Sequence, residues 1–194
     1  MRIAKILTVA LGALVLVQVV LVKPYRIPSA SMVPTFQPGD RVLSAQHWYG
    51  LTDPGRGDIV VFHPNGRGKL VFRSRLASSR TFVKRIVALP GETAGSVAGH
   101  LYVCRQGVVP RERAAPDRTA GCRFPTETYT RGQTSQCDGE TDYGPETVPP
   151  GEYLLLGDNR ADSEDSRCFG TIPRRQITGR VIARYWPFGR IGTP

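Results

Sequence analysis

The sequence predicts a mostly β protein, and three observations support that prediction. After residue 23, short apolar runs alternate with clusters of turn-forming residues. Glycine and proline are frequent, at 21 and 16 of 194 residues, which is typical of many turns and short strands. No segment after residue 23 repeats its apolar residues at the period of an amphipathic helix. The length fits one domain with an elaboration.

Six segments have the composition and length of strands. They are DRVLSA (40–45), GDIVVFH (57–63), RTFVKRIVAL (80–89), HLYVC (100–104), GEYLLLG (151–157) and GRVIARYW (179–186). Turn signals such as QPGD, PNGRG and LPGE separate them. Residues 105–150 differ, because they are polar and contain few large aliphatic side chains. We predict that this stretch is an insertion held by disulfides rather than by a core.

An uncharged apolar segment precedes the predicted strands. Residues 6–22 read ILTVALGALVLVQVVLV, with basic residues on both sides. A helix of that length spans most of a hydrocarbon core about 30 Å thick. A cleaved signal peptide is the alternative. However, KPYRIP follows the apolar run where that alternative requires a small-x-small cleavage site. The sequence favours a retained transmembrane anchor over 6–22, with residues 1–5 as a short cytoplasmic N-terminus.

The charge of the chain bears on its partners. The formal net charge is +10 at pH 7, which fits nucleic acid, an anionic membrane surface or solubility alone. No zinc-finger or RNA-binding signature accompanies the charge. We therefore expect a lipid bilayer and no nucleic acid among the partners.

The four cysteines indicate the redox compartment. Cys104, Cys122 and Cys137 lie in the polar region, and Cys168 lies near the C-terminus. Their spacings fit no zinc pattern, so no metal site is predicted. An even count in a loop-rich, anchored chain favours disulfides and an oxidising compartment over unrelated thiols. Four cysteines allow three pairings, and the sequence does not choose among them.

Residues 28–35, PSASMVPT, raise the question of a nucleophile. Prolines on both sides hold this segment in a turn or extended conformation. Its serines are ordinary turn residues unless a base lies nearby. The three histidines, His47, His63 and His100, lie in no context typical of a catalytic triad. A lysine can activate a serine instead, provided that burial lowers the pKa of the lysine.

Lys84 is the candidate base. Alternate residues of a strand share a face, so Lys84 lies on the face of Phe82 and Ile86 while Arg85 points the other way. Burial between apolar neighbours favours the neutral amine. The alternative is an edge-strand lysine that reaches solvent along its stem.

A dense group of polar residues follows the last but one predicted strand. The segment LLLGDNRADSEDSRCFG (154–170) runs from three leucines into aspartates, arginines and serines. Such a cluster is commonly a solvated loop. Its position directly after buried leucines instead favours ion pairs that hold one loop geometry.

These motifs together resemble the bacterial type I signal peptidases, membrane-bound serine/lysine enzymes that remove signal peptides from exported proteins. The resemblance extends from the anchor to about residue 188. The matching motifs are PSASMVPT, GDRVL, RGDIVVF, VKRIVALPGE and GDNRADSEDSR. GDRVL and RGDIVVF together form one motif, the strands after the nucleophile segment, and four motifs in the family order make this resemblance specific.

The resemblance implies roles at matching positions. Ser31 corresponds to the nucleophile, and Lys84 corresponds to the general base that later protonates the leaving amine. The Ser29 hydroxyl and the Ser31 backbone N–H correspond to the oxyanion hole. Ser163 corresponds to the serine that hydrogen-bonds and orients the lysine.

Further positions correspond to structural and substrate-contacting residues. The residues implied to form structural ion pairs are Arg85, Asp158, Arg160, Asp165 and Arg167. The residues implied to line the substrate pockets are Ile27, Met32, Phe36, Phe82 and Val83. Two positions depart from the family: Ala161 replaces a common acidic residue, and Cys168 replaces a common aromatic one.

The resemblance implies a twisted antiparallel catalytic core over 26–92 and 148–188, interrupted by a smaller β-rich insertion over 93–147. The expected function is cleavage of signal peptides from exported preproteins after a small-x-small motif, through an acyl-enzyme and without a cofactor. The chain is expected in the bacterial plasma membrane as a single-pass protein, with its catalytic domain on the extracytoplasmic side. Two alternatives stay open: a peptidase dedicated to one substrate, such as a conjugation pilin, and an inactive tethered binding module.

Aromatic residues near the predicted strand ends suggest a membrane-facing surface. Trp48 and Tyr49 follow the nucleophile segment, and Trp186 and Phe188 end the last core strand. Tryptophan and tyrosine favour the interface between headgroups and acyl chains. The alternative is that these are ordinary core or rim residues.

Overall fold

The computed structural model describes residues 21–46, 48–50, 52–63, 81–110, 118–132 and 142–194. Residues 6–20 of the predicted anchor lie outside these ranges, and Val22 already belongs to the first strand. Within the described ranges, no helix is long and apolar enough to cross a bilayer.

The described strands form two antiparallel sheets. In chain order they are β1 (Val22–Arg26), β2 (Arg41–Gln46), β3 (Ile59–Phe62), β4 (Phe82–Ala88), β5 (Thr93–Val97), β6 (His100–Cys104), β7 (Cys122–Arg123), β8 (Glu146–Thr147), β9 (Glu152–Leu156), β10 (Ile172–Pro173) and β11 (Ile177–Trp186). The larger sheet has the order β1-β2-β11-β3-β4-β9-β10, and the smaller has the order β7-β6-β5-β8. The six strands predicted from the sequence are all present, and the mostly β class is confirmed.

The larger sheet is buried on both faces around its centre. All four residues of β3 are buried. One face packs Val60 against Ile86 and Leu155, and the other packs Val61 against Ile27. Burial on both faces explains why this strand reads as a continuous apolar run rather than an alternating one.

The smaller sheet shares a core with the larger one. The expected disulfide is present between Cys104 and Cys122, but Tyr143 and Val148 of the stretch 105–150 are also buried in this core, so the expectation that no core holds the stretch is wrong. Val103 and Tyr143 pack in one buried cluster with Leu154 and Leu156 of β9. Few large aliphatic side chains lie between residues 105 and 150, because β4 and β9 supply much of the apolar surface that covers this region.

Five of the described strands, β1, β5, β7, β8 and β10, and one short helix were not predicted from the sequence. Strand β5 reads TAGSV, and its Gly95 lies against Tyr102, where an added Cβ would come within 2.5 Å of the tyrosine hydroxyl. The close approach therefore requires small residues, which carry little strand signal. A four-residue helix, α1 (Ser166–Phe169), was also missed because it is too short to show a period; Asp165 caps it by accepting from the Arg167 N–H.

Candidate active site

Ser31 lies in a single 3₁₀ turn formed by residues Ala30–Met32. Met32 is 1% exposed and packs in the core beside Ile27, which fixes the turn against the sheet. Asn159 holds the turn from the other side: its backbone N–H donates to the Ser31 carbonyl at 3.0 Å, and its side-chain amide donates to the Ala30 carbonyl at 3.1 Å. The serine is therefore fixed by its backbone on both sides.

Lys84 reaches Ser31 from β4. Its Nζ lies 2.7 Å from the Ser31 Oγ, and the residue is 3% exposed. Its Cα partner on β3 is Val60, which is fully buried. Desolvation by burial lowers the pKa of Lys84 to about 8, against a smaller raising effect from Asp165 and then Glu164. The structure thus places the lysine in the buried position, not at an edge.

A groove of about 550 Å³ opens beside the serine and the lysine. Four of the five predicted pocket residues line it: Ile27, Met32, Phe82 and Val83. Phe36 lies elsewhere; it is fully buried in the core cluster that contains Ile27 and Met32. Its aromatic ring lies within that apolar layer, so Phe36 contributes packing rather than groove surface.

The two further serines differ in their contacts. The Ser29 hydroxyl donates to the Ser31 Oγ at 3.3 Å. The Ser163 hydroxyl is buried and makes no hydrogen bond within the described ranges, so the expected bond to Lys84 is not formed in this structure. Gly157 approaches Ser163 closely: a Cβ on that glycine would lie 2.1 Å from the Ser163 Oγ.

Three buried arginine–carboxylate pairs surround the site. Arg85 binds Asp158 through two hydrogen bonds of 2.9 and 2.8 Å. Arg167 binds Asp165 in the same bidentate way, at 2.8 Å for both bonds. Arg160 does not pair within its own loop but with Glu127 of the insertion, at 2.6 and 2.5 Å.

The structure adds residues to which the sequence assigned no role. Asn159 holds the nucleophile turn, Thr35 donates to Asp158, and Glu127 pairs with Arg160. A role for Asn159 could have been predicted, because it lies within the GDNR motif and an amide side chain both donates and accepts hydrogen bonds. No sequence pattern predicted a role for Glu127, because its partner Arg160 lies 33 residues away in the chain.

The two described histidines do not line the groove, and Tyr49 is buried in the core. His63 Nε2 lies 3.0 Å from the Thr81 hydroxyl, and neither His63 nor His100 lines the groove. His47 and the Trp48 side chain lie outside the described ranges. Tyr49 is 6% exposed in a core cluster, so its expected place on a membrane-facing surface is wrong.

A serine hydroxyl held against a buried lysine beside a groove is the arrangement found in hydrolases with a serine nucleophile and a lysine base. The family model described as signal peptidase, peptidase S26, matches residues 1–186. The chain belongs to the signal peptidase family, and this membership implies a peptidase.

Individual relatives agree with the family match. Signal peptidase I of Leptolyngbya laminosa is 36% identical over 166 residues, which cover 86% of this chain and 70% of that protein. The probable signal peptidase I-2 of Synechocystis sp. is 36% identical over 167 residues, 86% of this chain and 64% of that protein. Signal peptidase IB of Staphylococcus aureus is 33% identical over 184 residues, 94% of this chain and 87% of that protein.

A solved structure also matches. The crystal structure of a signal peptidase I from Enterococcus faecalis V583 is 29% identical and covers 66% of this chain and 97% of that chain, with a TM-score of 0.38.

Proposed function

We propose that the protein is a membrane-anchored signal peptidase that cleaves signal peptides from exported preproteins with Ser31 as nucleophile and Lys84 as general base. The observation that carries this proposal is the 2.7 Å contact between the Lys84 Nζ and the Ser31 Oγ, made by a lysine that is 3% exposed. Family membership and relatives named signal peptidase I support the substrate class.

Acylation begins with a neutral Lys84. Because burial lowers its pKa to about 8, about a tenth of the enzyme carries the neutral amine at pH 7. That amine takes the Ser31 proton as the Oγ attacks the scissile carbonyl carbon. The protonated lysine then donates its proton to the leaving amine, and the acyl-enzyme forms. The leaving amine is the new N-terminus of the mature protein. A water molecule, deprotonated by the same lysine, then attacks the ester; the lysine returns that proton to the Ser31 Oγ, and the signal peptide leaves with a free carboxylate.

The oxyanion needs donors on the other side of the carbonyl. The Ser31 backbone N–H and the Ser29 hydroxyl are the two groups we assign to that role. Ser29 Oγ already lies 3.3 Å from the Ser31 Oγ, and rotation of its side chain directs the same hydroxyl toward a developing oxyanion. Donors of this kind stabilise charge that appears only in the transition state.

The groove accounts for a preference for small residues before the cleavage point. Ile27, Met32, Phe82 and Val83 line it with medium and large apolar side chains. Apolar side chains of this size beside the nucleophile favour alanine-sized substrate side chains over bulky ones. We therefore assign a small-x-small preference to the substrate.

The extracytoplasmic placement has one structural support. Cys104 and Cys122 form a disulfide across β6 and β7, and Cys168 is also disulfide-bonded. Disulfides persist in oxidising compartments. We propose that the anchor ends before Val22, the first residue of β1, and that it holds the peptidase beside the membrane-inserted segments of its substrates.

Incubation of the detergent-solubilised protein with several unrelated preproteins, followed by N-terminal sequencing, tests this function. The unmodified protein is expected to produce one new N-terminus directly after a small-x-small motif. Ser31→Ala and Lys84→Met are expected to remove cleavage while the far-ultraviolet circular dichroism stays unchanged. Because the two residues act as a unit, the double variant should be no worse than either single one. Cleavage by Lys84→Met would refute the lysine base, and cleavage of a single preprotein would favour a dedicated peptidase.

A further inference from the structure

A segment of the insertion crosses onto the loop that follows β9. We call residues 127–132 the strap. Its backbone makes two hydrogen bonds to that loop: the Arg131 N–H donates to the Asp158 carbonyl, and the Arg160 N–H donates to the Arg131 carbonyl, both at 2.7 Å. The strap is thereby joined to the loop as a short stretch of parallel ladder.

Side chains strengthen the same junction. The Glu127 carboxylate pairs with the Arg160 guanidinium, and these side chains are 11% and 1% exposed. The ring of Tyr129 lies 4.0 Å below the Arg85 guanidinium, which itself binds Asp158. A buried, bidentate ion pair and a close cation–π contact both impose geometry as well as contributing attraction.

The last residue of the strap lies unusually close to the loop. Gly132 has a φ of +77°, and a Cβ added there would lie 2.7 Å from the Cβ of Ala161. Glycine is favoured at this position for two reasons: it adopts the left-handed backbone conformation without strain, and it has no Cβ to collide with Ala161.

The opposite side of the same loop holds the nucleophile. The peptide group between Asp158 and Asn159 accepts from the Arg131 N–H at its carbonyl and donates to the Ser31 carbonyl through its N–H, at 2.7 and 3.0 Å. One peptide plane thus connects the strap to the nucleophile turn. Hydrogen bonds in such a chain polarise and strengthen one another.

Asn159 also acts on the oxyanion donor. Its side-chain amide donates to the Ala30 carbonyl at 3.1 Å. That carbonyl belongs to the peptide group whose N–H is the N–H of Ser31. Displacement of the loop would therefore move both the Ser31 hydroxyl and the backbone donor that we assign to the oxyanion.

We propose that the strap positions the nucleophile: residues 127–132 of the insertion hold the Asp158–Asn159 peptide in the place that sets the geometry of Ser31 and of its N–H. Glu127 and Tyr129 are positioning residues, since neither lines the groove. The inference rests on the proposed function for its kinetic readout and adds to it a role for the insertion. The root of the strap is fixed to the smaller sheet, because Cys122 is bonded to Cys104 in β6.

Variants of the strap test the proposal. Tyr129→Ala removes the ring below Arg85, and Tyr129→Phe keeps it. Phe124→Ala is the matched control. Phe124 is also an aromatic residue of the insertion, but its ring contacts Tyr102 and not the loop that follows β9. Glu127→Ala removes the carboxylate that binds the buried Arg160 guanidinium. The folding of this variant is checked first, and Tyr129→Ala carries the test if Glu127→Ala unfolds.

Two measurements separate positioning from general stability. In cleavage of a preprotein, Tyr129→Ala is expected to lower kcat at least tenfold with KM within about twofold, since a misplacement near 1 Å costs up to about a hundredfold. Tyr129→Phe is expected to restore kcat to within about threefold, and Phe124→Ala to leave it unchanged. In nuclear magnetic resonance, the Ser31 amide resonance is expected to shift in Tyr129→Ala and to stay in place in Phe124→Ala.

The outcomes that overturn the proposal are distinct. An unchanged kcat in Tyr129→Ala, or a loss that only follows the unfolded fraction in circular dichroism, refutes positioning. An unmoved Ser31 amide resonance refutes it as well. If the unmodified protein cleaves no preprotein, the proposed function fails, and the resonance of Ser31 still decides whether the strap positions that residue.

Discussion

At the scale of single residues, Lys84 combines a cost to stability with the chemical role that we propose for it. The fold keeps this side chain 3% exposed, and removal from water disfavours its charged form. The Ser31 Oγ lies within hydrogen-bond distance of its Nζ, and the acidic groups that act on it, Asp165 and Glu164, only partly offset the desolvation. With a pKa of about 8, the Lys84 amine is basic enough to accept a proton, and a sufficient fraction of it is neutral near pH 7.

The pH dependence of cleavage follows from this lysine. Its pKa is lowered to about 8, so kcat/KM is expected to rise about tenfold per pH unit below that value and to level off above it. Rate measurements from pH 6 to pH 10 on a short soluble peptide check this. His63→Ala serves as control and should leave the profile unchanged. A limb near about 6.5 that disappears in His63→Ala would contradict the lysine assignment.

The stability of the protein has a linked dependence on Lys84. Its folded-state pKa, about 8, lies below the unfolded value of about 10.4. The unfolded state therefore binds more protons between these two values, and the free energy of unfolding rises with pH across that window. Lys84→Met removes the free-energy cost of burying an amine that is charged at pH 7. The variant is therefore expected to be more stable than the unmodified protein at pH 7 by up to about 3 kcal/mol.

Urea unfolding at pH 7 and at pH 10 measures this difference. The advantage of Lys84→Met should be largest at pH 7 and should shrink toward pH 10, where the lysine is neutral in the folded state and increasingly neutral in the unfolded state. A variant less stable than the unmodified protein at pH 7 would show that burial of this amine costs the fold little.

At the scale of elements, two backbone segments meet at the nucleophile. The turn of Ala30–Met32 lies against the loop after β9, and Gly157 marks the closest approach. A Cβ at Gly157 would lie 2.5 Å from the Ser31 carbonyl oxygen as well as 2.1 Å from the Ser163 Oγ. The contact with Ser31 is to a backbone atom, so the turn that carries Ser31 cannot yield by turning a side chain.

Gly157→Ala is expected to displace the nucleophile turn. Because the added methyl group meets a backbone carbonyl, we expect kcat to fall by about a hundredfold or more, together with a loss of stability of about 1–3 kcal/mol from overpacking. Gly189→Ala is the matched control, since a Cβ there meets nothing within 4 Å. Steady-state cleavage and thermal unfolding of both variants provide the comparison, and a fully active Gly157→Ala would mean that the turn tolerates displacement.

At the scale of the whole molecule, the apolar surface is unevenly distributed. Trp186, Phe188 and Ile191 at the end of β11 are 42%, 73% and 60% exposed. The rings of Trp186 and Phe188 lie 4.8 Å apart, and the Arg41 guanidinium lies 5.8 Å from the Trp186 ring. Together with the net charge of +10, this patch has the composition that favours an anionic membrane surface.

A chain lacking residues 1–20 is expected to bind vesicles that contain anionic lipid. The cut precedes Val22, so β1 stays intact. Trp186→Ser and Phe188→Ser should weaken binding in sedimentation, while Phe124→Ser, which removes an exposed aromatic ring of the smaller sheet, should not. Tryptophan fluorescence should change on mixing with vesicles. If the truncated chain ignores vesicles, the patch has no role at the membrane and an anchor alone would provide attachment.

The sequence alone determined the mostly β class and six of the strands, because apolar runs and turn residues are local properties. Its motifs also led to the proposal of Ser31 and Lys84 as the reacting pair, two residues that lie 2.7 Å apart in the structure. The sequence placed Lys84 on the same face as Phe82 and Ile86, and the structure decided that this face is buried. The tertiary structure decided what depends on distant partners. Arg160 pairs with Glu127 rather than within its loop, Phe36 lies in the core rather than along the groove, and Tyr49 is buried. The strap was unpredictable because its main contacts are backbone hydrogen bonds, which any residue type can make, and only the packing of the two sheets brings them together.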